Sequence, residues 1–394
     1  MNSGRPRGSR LGGMGATAIA VALAVPFALP FAYLLVRNAQ DLSGLWEALS
    51  DDRLVGPLLR SLGLGIAVAA ASAVLGTASA WLVARTDLRG RRIWALLLCL
   101  PLVIPSFVGA IALIAAFAPG GLVEEVFGIS WLPEVSGFQG AFAVLTLLTY
   151  PYVFLPVMAR LRALPSSLEE SGRMLGRRPF AVFLTVVVPQ ARAAIAAGSL
   201  LVFLYVISDF GAVQLLRYDT LTRAIYADRL LDPATSIALS LALGVLAVLI
   251  VALERRASRV DLRDQVRTSS PLVVPLRRAK AGALTFLTLL VGFSLVAPIA
   301  VLGYWAVRGF VNGSDGATSV IADPSLIISP LASTAGVSVA AALATMIIVL
   351  PIAYRSVRRA GRLGEIISGT VVGGFALPGL VTALALVFFT VKAP

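Results

Sequence analysis

The sequence has no histidine and only one cysteine, Cys99, among its 394 residues. A single cysteine excludes an intrachain disulfide and the paired thiols of a CxxC metal site. The absence of histidine removes the most common metal ligand and general base in proteins. We therefore predict that the chain has no catalytic residues, no metal site and no cofactor, and that it is not an enzyme.

The phosphate-binding pattern GxxxxGK[ST] is also absent from the sequence. In P-loop proteins that pattern supplies the backbone amides and the lysine that hold the phosphates of ATP. If this chain takes part in an ATP-driven process, the ATP is expected to be hydrolysed on a separate partner subunit.

Charged residues make up only 13% of the chain and hydrophobic residues 58%, whereas about 25% of an average soluble protein is charged. Apolar runs long enough for a helix to cross a bilayer recur along the sequence. The predicted fold class is therefore all-α, a polytopic membrane protein with about nine transmembrane helices. The predicted spans are residues 14–36, 58–84, 93–117, 140–158, 193–215, 235–253, 281–307, 331–354 and 363–391.

Basic residues are concentrated on one side of this predicted topology. The segments on that side contain 25 of the 33 lysines and arginines but only 6 of the 20 acidic residues. Because basic loops tend to stay in the cytoplasm, we predict a multi-pass protein of the cell (inner) membrane with a cytoplasmic N-terminus. Membrane lipid is then the expected surrounding partner, and the net charge of +13 needs no nucleic acid to explain it.

Residues 160–192 form a polar interval between two long apolar runs, on the predicted cytoplasmic side. Glu170 completes a capping-box spacing that begins three residues earlier, which predicts the start of a helix. Gly176 is expected to end that helix in the left-handed conformation, and Pro179 to begin a second helix. We predict that Pro189 ends the second helix, so that the interval contains two short helices broken at Gly176.

This interval resembles the EAA loop of binding-protein-dependent ABC importer permeases. That loop has the pattern E-A-A, three residues, G, about nine residues, then I-x-L-P. The corresponding positions here are Glu170, Ser171, Gly172, Gly176 and Pro189, with Pro179 among the intervening residues. The resemblance implies that the loop docks on the ATPase and that Glu170 contacts a basic residue there. The alternative is that Glu170 only caps a helix.

An internal repeat is the second informative pattern in the sequence. A shift of 273 residues aligns Pro57 with Pro330, Gly63 with Gly336, Arg85 with Arg358 and Pro105 with Pro378. A repeat of this kind resembles the fused double permeases of the iron(III)-type ABC importers, which carry two permease units on one chain. The second equivalent of Glu170 would fall at position 443, so we expect a second unit that is truncated in this sequence.

The repeat predicts the following division of the chain. Residues 1–55 contain the N-terminus, the first span and an external loop; residues 56–253 a complete permease domain; residues 254–280 a basic cytoplasmic linker; residues 281–329 the seventh span and an external loop; and residues 330–394 a truncated second permease domain.

The resemblance implies the permease subunit of an ATP-driven ABC importer of the type I fold, with iron(III) as the expected substrate. The implied partners are two copies of an ABC ATPase subunit and an extracytoplasmic solute-binding protein. Thiamine, sulfate and polyamine systems are alternatives that use the same machinery. A stand-alone secondary transporter is the alternative of another class.

Four residues in the predicted spans are candidates for the substrate pathway. Asp209 is the one acidic residue well inside a span, and intramembrane acids are often functional. Its alternative role is a carboxylate satisfied by external water or by a neighbouring helix. Pro105, Tyr150 and Pro151 mark expected kinks or breaks in the third and fourth spans, and irregular backbone at membrane depth lines the pathway in many transporters.

Overall fold

The computed structural model describes residues 30–43, 46, 52–128, 135–165, 169–170, 172, 174–177, 179–258, 273–311, 323–358, 379, 382–383 and 386–387. Helices dominate this part of the chain. In order they are α1 Asp52–Arg85, α2 Arg91–Leu97, α3 Ser106–Phe117, α4 Leu122–Phe127, α5 Gly137–Thr149, α6 Pro151–Ala163, α7 Pro179–Val182, α8 Val188–Ser208, α9 Gly211–Leu215, α10 Leu221–Leu231, α11 Pro233–Ser258, α12 Lys280–Val291, α13 Ala297–Val311 and α14 Ser325–Arg358.

Five helical stretches in the described residues are long and apolar enough to cross a membrane. They are Leu54–Arg85, Gly137–Ala163, Phe180–Ser208, Arg277–Val311 and Ser325–Leu350. A bent pair, Arg91–Val103 with Ser106–Phe117, adds a sixth if it is counted as one span, and Ala234–Leu249 is a shorter apolar helix. The predicted spans 14–36 and 363–391 lie mostly outside the described residues. The all-α, polytopic fold class is confirmed.

The third predicted span is sharply bent at Pro105. Its first half ends at Val103, and its second half begins at Ser106 at an angle of 92° to the first. Ile104 is extended, with ψ of 115°, and Pro105 has ψ of 143°. A proline ring disfavours the helical conformation in the residue before it, so the helix stops before Ile104. The predicted kink is confirmed.

The predicted break in the fourth span was wrong. α5 ends at Thr149 and α6 begins at Pro151, but Tyr150 between them has helical angles, φ −53° and ψ −27°. Pro151 is the first residue of α6, where the fixed φ of a proline suits a helix. Residues 137–163 therefore continue as one apolar span.

The prediction that Pro189 ends a short second helix was also wrong. The helical stretch runs from Phe180 through Pro189 to Ser208. A π turn, Phe183–Val187, directly precedes α8, and the Val188 amide donates to the Phe183 carbonyl across it. This wider turn moves the preceding carbonyl groups away from the proline ring that would otherwise clash with them. The fifth span thus begins inside the polar interval.

Three helices, α1, α6 and α8, pack closely because glycines lie at their contacts. A β-carbon on Gly76 of α1 would lie 2.8 Å from the backbone nitrogen of Phe154 and 2.9 Å from the carbonyl oxygen of Tyr150. A β-carbon on Gly198 of α8 would lie 2.7 Å from the α-carbon of Val153. Small residues allow membrane helices to approach in this way. The backbone of α6 therefore lies directly against both α1 and α8.

The chain divides into two compact units. One comprises Trp46–Leu239 and Leu249–Trp305, and the other comprises Met1–Leu45, Ser240–Val248 and Ala306–Pro394. α1 belongs to the first and α14 to the second. Both helices have 34 residues, and their first and last residues are separated by the same 273 positions that align the sequence repeat.

Candidate functional site

Residues 160–192 connect α6 to α8 through two helical segments. The described residues in the body of the first segment are Glu169, Glu170, Gly172 and Met174, all helical. Gly176 follows with φ of 76°, which is the left-handed conformation predicted for it. The second segment begins at Pro179 with α7. Ser171 lies outside the described residues.

The two segments contact each other at Gly172. This glycine is buried, and a β-carbon on it would lie 3.3 Å from Cγ2 of Val182. There is little room for a side chain at that contact. Gly172 therefore lets the segments pack against each other, whereas Pro189 is exposed on α8.

The turn between the segments presents apolar side chains. Met174 is 90% exposed and Leu175 is 77% exposed, and both lie outside the candidate membrane spans. The side chain of Glu170 is exposed one helical turn before Met174, and Arg177 is exposed after the turn. Adjacent exposed apolar side chains with a charged rim are typical of a surface that binds another protein.

The two neighbouring glutamates have opposite environments. Glu170 is exposed, whereas Glu169 is only 3% exposed. Oε1 of Glu169 lies 3.4 Å from Nε of Arg85, the last residue of α1. Arg85 has no exposed surface, and its Nη2 donates a hydrogen bond of 2.8 Å to the carbonyl oxygen of Leu164.

Sequence reasoning alone does not find the ion pair between Arg85 and Glu169. The two residues are far apart in the chain, and each resembles an ordinary charged residue of a polar segment. The available signal was the alignment of Arg85 with Arg358 in the repeat. That signal marks Arg85 as unusual but does not indicate its partner.

A short chain segment before α12 is bonded to the end of α1. The Val274 amide donates to the Arg85 carbonyl at 2.7 Å, and the Asp87 amide donates to the Val274 carbonyl at 3.2 Å. Oδ1 of Asp87 accepts a hydrogen bond of 3.0 Å from the Leu276 amide. Lys280 Nζ lies 3.6 Å from Oδ2 of Asp87. The end of α1 therefore contacts both residues 160–192 and the start of α12.

Asp209 lies where α8 ends and α9 begins, and it is 8% exposed. The Ser106 hydroxyl at the start of α3 donates to its Oδ2, and the Ala212 amide donates to its Oδ1 at 2.9 Å. The Thr222 hydroxyl on α10 donates to its backbone carbonyl at 2.7 Å. Asp209 therefore joins four helices through hydrogen bonds. In the structure its carboxylate is hydrogen-bonded to neighbouring helices.

The other three pathway candidates fall in two places. Pro105 is exposed at the bend and precedes Ser106, the partner of Asp209. Tyr150 and Pro151 are buried, and Tyr150 belongs to the hydrophobic core. The structure thus connects Pro105 with Asp209 and places the other two in helix packing. Among the described residues, no three His, Cys, Asp or Glu side chains are grouped to hold a metal ion.

Comparisons with known proteins agree on one family. The family model described as "Binding-protein-dependent transport system inner membrane component" matches residues 72–259. The chain is 29% identical to the Fe(3+)-transport system permease protein FbpB 2 of Haemophilus influenzae, over 91% of this chain and 68% of that protein.

Two further relatives match a shorter part of the chain. The molybdenum transport system permease protein ModB of Mycobacterium bovis is 36% identical, over 48% of this chain and 76% of that protein. The putrescine transport system permease protein PotI of Escherichia coli is 30% identical, over 41% of this chain and 56% of that protein. All three relatives are permease proteins of transport systems rather than enzymes.

Proposed function

Since this chain belongs to the family of binding-protein-dependent transport system inner membrane components, we propose that residues 160–192 are the site where it binds its ATPase. The family implies an ABC importer permease in the inner membrane, with an ATPase and a solute-binding protein as partners. The observation that carries the proposal is the exposed pair Met174 and Leu175 beside the exposed Glu170. These side chains lie between two candidate spans, so a partner in the aqueous phase can reach them.

Each residue of the loop has a proposed part in this contact. Glu170 pairs with a basic residue of the ATPase, and Met174 and Leu175 fill an apolar groove. Gly176 allows the reversal between the two helical segments, and Gly172, with Ser171 beside it, keeps them closely packed. Pro179 begins the second segment, and the π turn before Pro189 carries that segment without interruption into α8. Movement of the docked ATPase would therefore pull directly on a membrane span.

The orientation and the number of partners complete the proposal. The excess of lysine and arginine on the side of residues 160–192 favours the cytoplasm for that side and for the N-terminus. Two ATPase copies would close on ATP together, and a second permease unit would begin near residue 330. The equal lengths of α1 and α14 support this repeat. Alternation between outward- and inward-facing states then follows from the different contacts that the ATPases make in each state.

The substitution Glu170→Ala tests the proposed contact. A hydrogen bond to a charged group contributes about 1.5–3 kcal/mol, so we expect about a tenfold or greater loss of affinity for the ATPase. The measurement is co-purification of the ATPase with the chain, followed by transport in proteoliposomes. Asp41→Ala, which removes an exposed carboxylate outside residues 160–192, should leave both unchanged. ATPase binding that survives Glu170→Ala undiminished would contradict the assignment.

We further propose iron(III) as the substrate. The similarity to the iron(III) permease extends over 91% of this chain, whereas the molybdenum and putrescine permeases match less than half of it. The helix α10 lies within residues 219–232, whose sequence resembles the iron(III) group. Thiamine and sulfate are further alternatives that the same machinery would carry.

Uptake by proteoliposomes with the ATPase and the solute-binding protein tests the substrate. We expect ATP-dependent uptake of radiolabelled iron(III) to exceed that of molybdate or putrescine at least about tenfold, since about 1.4 kcal/mol of differential binding suffices for that preference. Empty liposomes and complexes without ATP are the controls. Faster uptake of molybdate or putrescine would replace iron(III) with that substrate and leave the ATPase contact untouched.

A further inference from the structure

Arg85 is bonded to three separate parts of the chain at once. It is the last residue of α1. Nε of its guanidinium lies 3.4 Å from Oε1 of Glu169, which belongs to the first helical segment of the loop. Nη2 donates a hydrogen bond of 2.8 Å to the carbonyl oxygen of Leu164, the residue that follows α6. Its backbone carbonyl accepts the amide of Val274 at 2.7 Å. We call these residues, with Asp87, the Arg85 junction.

The ion pair inside the junction is strongly constrained. The side chains of Arg85 and Glu169 are 0% and 4% exposed. Burying a charge without its partner is costly, and separating such a pair leaves both charges uncompensated. The loop segment that carries Glu169 is therefore expected to move together with the end of α1 rather than independently of it.

The other side of the junction leads to α12. Thr86 and Val274 form a parallel β-bridge, and Asp87 is bonded to the Leu276 amide and to Lys280, the first residue of α12. The hydrogen bond from Leu276 lowers the pKa of the Asp87 carboxyl, so it is ionised at neutral pH. Leu287 and Leu290 of α12 are buried in the same hydrophobic core as α1. The start of α12 is thus connected to the loop through Arg85 and Asp87.

We propose that the Arg85 junction is a positioning element that transmits movement of residues 160–192 to α1 and α12. Arg85 does not touch the ATPase or the substrate in this scheme. It acts through Glu169, which shares a helical segment with the docking residue Glu170. The inference rests on the proposed function, because it requires the ATPase to move that segment.

The substitution Arg85→Met tests the junction, with Arg89→Met as the matched control. Arg89 is an exposed arginine four residues further along, and the control removes the same charge without touching the junction. The readout is the ratio of substrate transported to ATP hydrolysed in proteoliposomes with the ATPase and the solute-binding protein. We expect Arg85→Met to lower this ratio about tenfold, within the usual range of coupling between sites, while ATPase binding stays as in the wild type.

The ratio separates a positioning role from a merely structural one. Loss of folded protein lowers transport and ATP hydrolysis in proportion, so the ratio stays constant. Arg85→Lys keeps the positive charge and should recover most of the ratio. If Arg85→Met fails to fold, Asp87→Ala replaces it, because that side chain is 37% exposed, and we then expect about a fivefold lower ratio.

Two outcomes would overturn the inference in distinguishable ways. The proposed role of the junction is wrong if the folded Arg85 or Asp87 variant keeps the wild-type ratio of transport to ATP hydrolysis. It is also wrong if Arg89→Met lowers that ratio equally. Either result leaves the proposed function intact. A wild-type complex that binds no ATPase, or hydrolyses ATP without transport, overturns the proposed function and the junction with it.

Discussion

Replacing Gly76 by leucine is expected to weaken the packing of α1 against α6. The first atom of any side chain at this position would lie 2.8 Å from the backbone nitrogen of Phe154, and backbone cannot rotate away as a side chain does. Overpacking a close contact costs about 1–3 kcal/mol and sometimes more. For a loss of about 3 kcal/mol, and an unfolding entropy of about 2.1 cal/mol/K per residue, the melting temperature of the purified chain should fall by about 3–4 °C.

Gly63→Leu is the matched control for this prediction. Gly63 lies on the same helix, but a β-carbon there meets no atom of the described residues within 4 Å, and the residue is exposed on the candidate span. Leucine also favours the helix over glycine by roughly 0.5–1 kcal/mol. Thermal unfolding in detergent, followed by loss of monodisperse protein, compares the two variants. Equal melting temperatures for Gly76→Leu and Gly63→Leu would show that the close contact does not exist.

Replacing Asp209 by alanine is expected to weaken the contacts that hold α3, α8, α9 and α10 together. The hydroxyl of Ser106 and the amide of Ala212 would lose their buried acceptors. An unsatisfied buried donor costs about 1–3 kcal/mol, so the two together cost about 2–6 kcal/mol. We expect poor accumulation of folded Asp209→Ala protein in the membrane, measured by size-exclusion chromatography after extraction.

Asp209→Asn distinguishes hydrogen bonding from charge at this position. The asparagine oxygen can still accept from the Ala212 amide, and its amide nitrogen can donate to the Ser106 oxygen. We therefore expect Asp209→Asn to accumulate and transport nearly as the wild type does. A folded Asp209→Asn protein without transport would instead mean that the carboxylate charge acts in the substrate pathway.

The sequence was a good guide to features that depend on composition over many residues. Apolar runs predicted the span 331–354, which lies within α14, Ser325–Arg358. They also predicted a polar interval after the fourth span, but the next candidate span begins at Phe180, inside that interval. The bend at Pro105 was also predictable, because a proline and the residue before it constrain their own backbone. Gly176 was predictable for a similar local reason, since few other residues adopt a positive φ.

Features that depend on contacts between distant segments could not be predicted. The partner of Arg85 is determined by how α1 packs beside the loop, and no local pattern reveals it. The sequence before Pro189 does not reveal that a π turn forms there. The position of Pro189 inside a continuous helix was therefore not predicted. The two glutamates at 169 and 170 look equivalent in sequence, and only the fold buries one and exposes the other.

The 92° bend at Pro105 has a consequence for how this region meets the lipid. α3 has 12 residues and is therefore about 18 Å long, much shorter than the roughly 30 Å hydrocarbon layer. α3 alone therefore cannot reach from one headgroup region to the other. Lipid tails offer no hydrogen bonds, so the carbonyl groups freed at the bend require protein or water around them. The backbone at Pro105 is therefore expected to face protein or a water-filled space rather than lipid tails.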